Sequence, residues 1–131
     1  MIVVGASALL EVLLNTLNAP RVAERLFAPA ETLHAPHLID LEVVQVLRWY
    51  ALAGDLDVQR GARAVLDLAE LPLQRYPHEF LLPRIWQLRN NVTACDAAYL
   101  ALAETLNCPL VTCDRALAAV PGHDADVEVI T

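Results

Sequence analysis

The sequence contains no lysine: all nine basic residues among its 131 are arginine. Against them stand 16 acids, for a formal charge of −7. That balance excludes a protein that grips nucleic acid by bulk positive charge, which needs a basic face. It does not exclude action on RNA or DNA, because bound metal ions reverse the local sign. Cysteine is scarce and odd in number. Cys95, Cys108 and Cys113 have neither C-x-x-C spacing nor a nearby His pair, which excludes a disulfide framework and a zinc site. They read as small buried hydrophobes of a protein in the reducing cytoplasm. Glycine occurs four times, too seldom for a glycine-rich phosphate loop. No apolar run approaches the ~18 residues of a membrane span. The start, Met1-Ile2-Val3-Val4, lacks the basic region and cleavage pattern of a signal peptide. There is no internal repeat and no Gly/Ser linker, so a single domain over residues 1–131 is expected.

What the chain does have is apolar mass. Hydrophobic residues make up 56% and mean hydropathy is +0.42, which argues against disorder. Ala (21) and Leu (24) fill about a third of the chain and predict helix-rich structure. Ile2-Val3-Val4 and Leu110-Val111-Thr112 read as short buried strands. Thr32–Ala35, Leu73–Arg75 and Val127–Val129 are further strand candidates, the last at an edge. Helices are expected over 6–14, 21–26, 38–53, 58–68, 79–88, 93–106 and 115–119. Gly54 closes the third, and Thr93 caps the sixth with an acid three residues on. Short apolar strands alternating with helices predict an α/β domain with a parallel sheet. In such sheets ligands sit beyond the carboxyl ends of the strands, where strand order switches. That rule points to Gly5 and Asp114.

Most acids fall where solvated charge is expected; three do not. Glu42 shares a helix face with Leu38, Ile39, Val46 and Trp49. A carboxylate on an apolar stripe must be paired, protonated or bound to metal; an Arg such as Arg48 is one alternative partner. Asp96 precedes Tyr99 and Leu100 on a second apolar stripe, and its alternative role is the capping box begun by Thr93. Asp114 follows a buried strand, and its alternative is the N-cap of a short helix. Converging carboxylates repel one another and raise at least one pKa. A divalent cation removes that cost, and oxygen-only ligands select Mg²⁺ or Mn²⁺. Such a site can activate water for attack on a phosphodiester. The hydroxyls of Ser7 and Thr112 are candidates to orient the carboxylates from behind, or to make local cap and turn bonds.

Four segments resemble the PIN-domain ribonuclease toxins of the VapC type. Met1–Leu10 is similar to that family's opening strand and helix. Pro36-His37-Leu38 through Glu42-Val43 to Arg48 is similar to its P-x-L-x-x-x-E-V segment. Thr93–Ala103 is similar to its D-A-x-Y-L-A-L-A helix, and Leu110–Arg115 to its strand ending in T-x-D. The resemblance spans nearly the whole chain, with the segments in the family's order. It implies a PIN-like α/β domain with a five-stranded parallel sheet flanked by helices. It implies Glu42, Asp96 and Asp114 as catalytic, metal-holding acids, with Mg²⁺ or Mn²⁺ as cofactor. It further implies an endoribonuclease toxin that cleaves RNA, transfer RNA among its targets. Its partners would be the RNA and a cognate VapB-type antitoxin whose basic segment covers the acidic site. Homodimers and toxin–antitoxin hetero-oligomers would be its assemblies.

One departure is central. The family places an Asp ligand directly after the first strand, where this chain has Gly5. The fold tolerates Gly there, but a ligand oxygen is missing, so impaired or absent activity is expected. Gly5 marks either an inactivated form or a natural degenerate relative, and the intact remainder of the pattern favours the first. It also leaves room for a catalytically inert module that only binds a partner, with Phe27, Trp49, Phe80 and Trp86 as groove residues unless they lie in the core. An aspartyl-phosphate phosphatase would need a nucleophilic Asp at this same position. No Ser/His/Asp arrangement offers itself either: His34, His37, His78 and His123 read as surface or turn residues.

Overall fold

A computed structural model describes residues 1–131. Five strands form one sheet: β1 (Ile2–Val4), β2 (Leu33–Pro36), β3 (Leu73–Tyr76), β4 (Leu110–Thr112) and β5 (Val127–Val129). Their order is β3-β2-β1-β4-β5, and every pairing is parallel. The chain builds outward from β1 to β3, then crosses back to lay β4 on the other side of β1. The switch in strand order therefore lies between β1 and β4. β1, β2 and β4 are buried throughout, which is why their sequences run apolar rather than alternating. Burial also claims His34, 7% exposed in β2. This corrects its reading as a surface or turn residue: its ring nitrogens bond Thr32 Oγ1 at 2.8 Å and Tyr76 Oη at 2.7 Å, so a polar ring sits inside the sheet at little cost.

The helices are α1 (Ala6–Leu13), α2 (Ala19–Leu26), α3 (Leu38–Leu52), α4 (Val58–Glu70), α5 (Leu82–Gln87), α6 (Ala94–Leu106) and α7 (Arg115–Ala118). The helix expected over 79–88 is broken. Glu79–Leu81 form a 3₁₀ turn and α5 restarts at Leu82, with Pro83 in its first turn where no N–H is needed. α6 lies across β1, β2 and β4. Its residues Ala97–Ala103 are buried without interruption, and its alanines let the helix approach the strands closely. Asp96 is thus the last polar residue before the helix enters the core. α6 ends at Asn107, whose φ of 51° supplies the left-handed cap; Gly54, with φ 80°, does the same beyond α3.

One further expectation is corrected, and the core alternative for four aromatics falls away. The cysteines are free but not core residues: Cys95 is exposed, and Cys108 and Cys113 are half-buried. The aromatics are surface residues, with Phe27 47%, Trp49 56%, Phe80 49% and Trp86 68% exposed. No helix is long and apolar enough to cross a membrane.

Candidate active site

At the carboxyl edge of the sheet, the end of β4 is fastened to the start of α1 by two hydroxyls. Ser7 Oγ and Thr112 Oγ1 lie 3.0 Å apart. The Cys113 N–H donates to Ser7 Oγ at 3.0 Å, and the Asp114 N–H donates to Thr112 Oγ1 at 3.0 Å. Gly5 sits beside this clip, its N–H donating to the Val111 carbonyl at 2.8 Å. Both hydroxyls act on the backbone of the strand end. They set the turn from which Asp114 projects.

Asp114 caps α7: its Oδ1 accepts the Ala116 N–H at 2.9 Å. Asp96 is the third residue of α6, and its N–H donates to Thr93 Oγ1 at 3.3 Å. Burial pushes the Asp96 carboxyl above its ordinary pKa; the Thr93 hydroxyl works against this, and the Asp114 charge adds to it. Glu42, half-buried on α3, accepts the Tyr99 hydroxyl at 2.5 Å. Burial raises its pKa as well, opposed by the Tyr99 bond and reinforced by Asp96. Glu42 thus meets a phenol and not an Arg, which corrects that alternative. Tyr99 itself is 3% exposed. Burial and the Glu42 carboxylate drive its phenol far above the ordinary range, so it remains a proton donor.

Glu42, Asp96 and Asp114 therefore share one electrostatic neighbourhood, and none has a cationic partner. Every side-chain ion pair of the chain uses other acids: Glu31, Asp40, Asp67, Glu104 and Glu128. The donor set is all oxygen, which suits a hard divalent cation. It is also open. No three His, Cys, Asp or Glu side chains approach one another closely enough to hold an ion, and Gly5 adds no oxygen where the sheet edge would contribute one. Tyr99 is the site residue that sequence reasoning missed. The signal was a phenol on an apolar stripe three residues after an acid, since a buried hydroxyl must find a partner.

The site is bordered by a cleft of about 510 Å³ between α1 and α3, into which Glu42 faces and which Trp49 flanks. A second, of about 500 Å³, lies beside the start of α6 and holds Trp86 and Arg89.

A parallel sheet of this order, with acids at its carboxyl edge, is a doubly wound α/β domain; the sequence pattern of the PIN domain matches residues 2–123 and makes it one of PIN type. Ribonuclease VapC9 of Mycobacterium tuberculosis is 47% identical over 130 residues, covering 99% of this chain and 98% of that one. Ribonuclease VapC12 of the same organism is 40% identical over 130 residues, covering 99% of each. The crystal structure of VapBC2 from Rickettsia felis, bound to a DNA fragment from its promoter, superposes with a TM-score of 0.71 at 15% identity, covering 100% of both chains. This chain belongs to the VapC family of PIN-domain proteins.

Proposed function

We propose that this chain is an endoribonuclease toxin of a type II toxin–antitoxin module, impaired in the present form by Gly5. The observation that carries the reading is the trio of unneutralised carboxylates, Glu42, Asp96 and Asp114, at the switch point of the sheet. Relatives named as ribonucleases at 40–47% identity support it. Mg²⁺ or Mn²⁺ is the cofactor we assign; Glu42, Asp96 and Asp114 do not close around an ion by themselves, and a side-chain oxygen at position 5 would be needed beside them. When bound, the cation would supply the positive charge that draws a phosphodiester to an acidic protein and the activation of water for hydrolysis.

The chain's own residues supply position. Tyr99 holds Glu42 in one orientation by its hydrogen bond. The Ser7–Thr112 clip fixes the backbone that presents Asp114. The raised pKa values of Glu42 and Asp96 are the mark of acids awaiting a cation or a proton. RNA, with transfer RNA as one target class, is the substrate of this reading. A cognate antitoxin with a basic segment over the acidic edge is the partner, in homodimeric and hetero-oligomeric assemblies in the cytoplasm.

The test is RNA cleavage by the Gly5 chain and by Gly5→Asp, each with Mg²⁺ or Mn²⁺ and with chelator. Cation-dependent cleavage by Gly5→Asp, well above that of the Gly5 chain, is expected. Gly5 itself favours a second reading, an inert PIN-like module that only binds a partner. If Gly5→Asp stays inert while still binding a partner segment, that second reading stands and the nuclease reading falls.

A further inference from the structure

The cleft between α1 and α3 has a composition that the acidic site does not explain. Leu10, Leu41 and Val46 make it apolar, Gln45 is its exposed amide, and Trp49 closes its far side. No lysine or arginine lines it. Trp49 is 56% exposed, although a buried indole would stabilise the fold more. Glu42 and Trp49 lie seven residues apart on one helix, about two turns or 10 Å along its axis. The cleft is therefore continuous with the acidic edge at one end and bounded by an aromatic ring at the other.

We infer that this cleft takes an unpaired base of the RNA substrate, stacked on Trp49, and this rests on the ribonuclease reading above. The charge pattern excludes a phosphate from the cleft, and the exposed indole and amide suit a base. A phosphate is repelled by Glu42 and finds no cation in the cleft. A base is flat and uncharged and has a π-face to offer an indole. The Gln45 amide presents both a donor and an acceptor to a base edge. The sugar–phosphate backbone then stays outside, along the acidic edge, where the cation assigned above would neutralise it when bound. A base paired in a duplex cannot enter, so the cleft selects single-stranded or looped RNA. The role of Trp49 is substrate binding, not chemistry.

Binding needs no cleavage, so the Gly5 chain itself is the reagent. The chain has two tryptophans; Trp86→Phe leaves Trp49 as the sole indole. This variant is titrated in millimolar Mg²⁺ with a short unstructured RNA, its abasic counterpart and the same RNA as a duplex. Binding is followed by anisotropy of a label on the RNA, and stacking by Trp49 fluorescence. The unstructured RNA is expected to bind and quench Trp49, and the abasic and duplex forms to bind more weakly without quenching. Trp49→Ala, made in the unaltered background, is expected to weaken binding of the unstructured RNA roughly five- to hundredfold, and Trp49→Phe to retain most of it. RNA that binds without quenching, with affinity unchanged in Trp49→Ala, overturns the stacking inference and leaves the ribonuclease reading intact. If a basic-apolar peptide quenches Trp49 while bound RNA does not, the cleft is a protein-docking groove and the inference falls. If Gly5→Asp, which restores the missing ligand, binds no RNA either, the ribonuclease reading falls and takes the inference with it.

Discussion

Gly5→Asp probes the acidic edge most directly, and its cost can be worked from the surroundings of the residue. Gly5 has φ −81° and ψ 154°, an extended conformation open to any residue. Replacing glycine there stiffens the unfolded chain, for a gain of about 0.4–1 kcal/mol. The added Cβ would lie 3.3 Å from Thr112 Oγ1 and 3.5 Å from the Val111 carbonyl oxygen, so the Thr112 side chain must shift slightly, which offsets that gain. Charge is the larger contribution. A carboxylate about 5 Å from another costs roughly 3 kcal/mol at an effective dielectric of ~20, and solvent around the exposed Asp114 screens part of it. The metal-free variant should be about 1–3 kcal/mol less stable than the Gly5 chain, a fall in Tm of roughly 3–10 °C for a domain of this size. Millimolar Mg²⁺ or Mn²⁺ should reverse the sign. An ion bound only by the folded state adds about 2.7 kcal/mol at a hundredfold excess over its Kd. Thermal melts of both chains, with chelator and with each cation, read this out as a larger cation-induced rise for Gly5→Asp. Equal responses of the two chains, or a variant indifferent to cation, would refute the idea that position 5 completes a cation site.

Other perturbations separate the roles of single groups. Tyr99→Phe removes the one hydrogen bond to Glu42; a loss of about 1–2 kcal/mol at neutral pH is expected in denaturant melts, with the Glu42 titration moving further upward by NMR. An unmoved Glu42 titration would contradict this. Asp114→Ala should lose about 0.5–2 kcal/mol with the α7 cap, whereas Asp114→Asn keeps the cap. If the carboxylate also serves a cation, both substitutions in the Gly5→Asp background abolish the cation-induced rise in Tm, and a rise retained by Asp114→Asn argues against that service. The pH profile follows from the shifts. Glu42 and Asp96 have folded pKa values above the ordinary carboxylate range, so their penalty is absent below that range and grows as pH rises through the raised values. Glu31, held down by the amino terminus and Arg25, and Glu104, held down by Arg84, have lowered values. Their contribution is present above the ordinary range and lost as pH falls through the folded values. Metal-free protein should thus be most stable at mildly acidic pH, and urea melts showing an optimum at or above neutrality would count against it.

How much of this was legible in the sequence depends on the range of the interaction. Ile2–Val4 and Leu110–Thr112 are readable as buried strands because a fully covered parallel strand is apolar on both sides. Thr93, Asp114, Gly54 and Asn107 announce helix ends through local hydrogen bonds and left-handed backbone, which a few residues decide. The break between Leu81 and Leu82 lies just before Pro83, which suits a first helical turn, but a 3₁₀ turn and a first helical turn look alike in sequence. The partner of Glu42 was not legible, because Tyr99 lies 57 residues away and only the packing of α3 near α6 joins them. His34 was misread for the same reason: whether a strand residue faces solvent depends on which strands flank it. The exposed indoles of Trp49 and Trp86 could not be told from core by composition, since either place suits an apolar ring.

The arginines have a consequence for ionic strength. Arg25, Arg63, Arg75 and Arg84 are committed to acids, while Arg21 and Arg60 bond the Thr131 and Leu13 carbonyls. Arg89 donates to the Trp86 carbonyl at 3.0 Å and rests 4.6 Å from the Trp86 ring centre, so Arg48 and Arg115 are left to meet a polyanion. Affinity for single-stranded nucleic acid falls with a log–log slope of about 0.7 per phosphate neutralised, so two such contacts give a slope of about −1.4. RNA at this surface would respond gently to monovalent salt and sharply to divalent ions, the reverse of the behaviour of a lysine-rich binder.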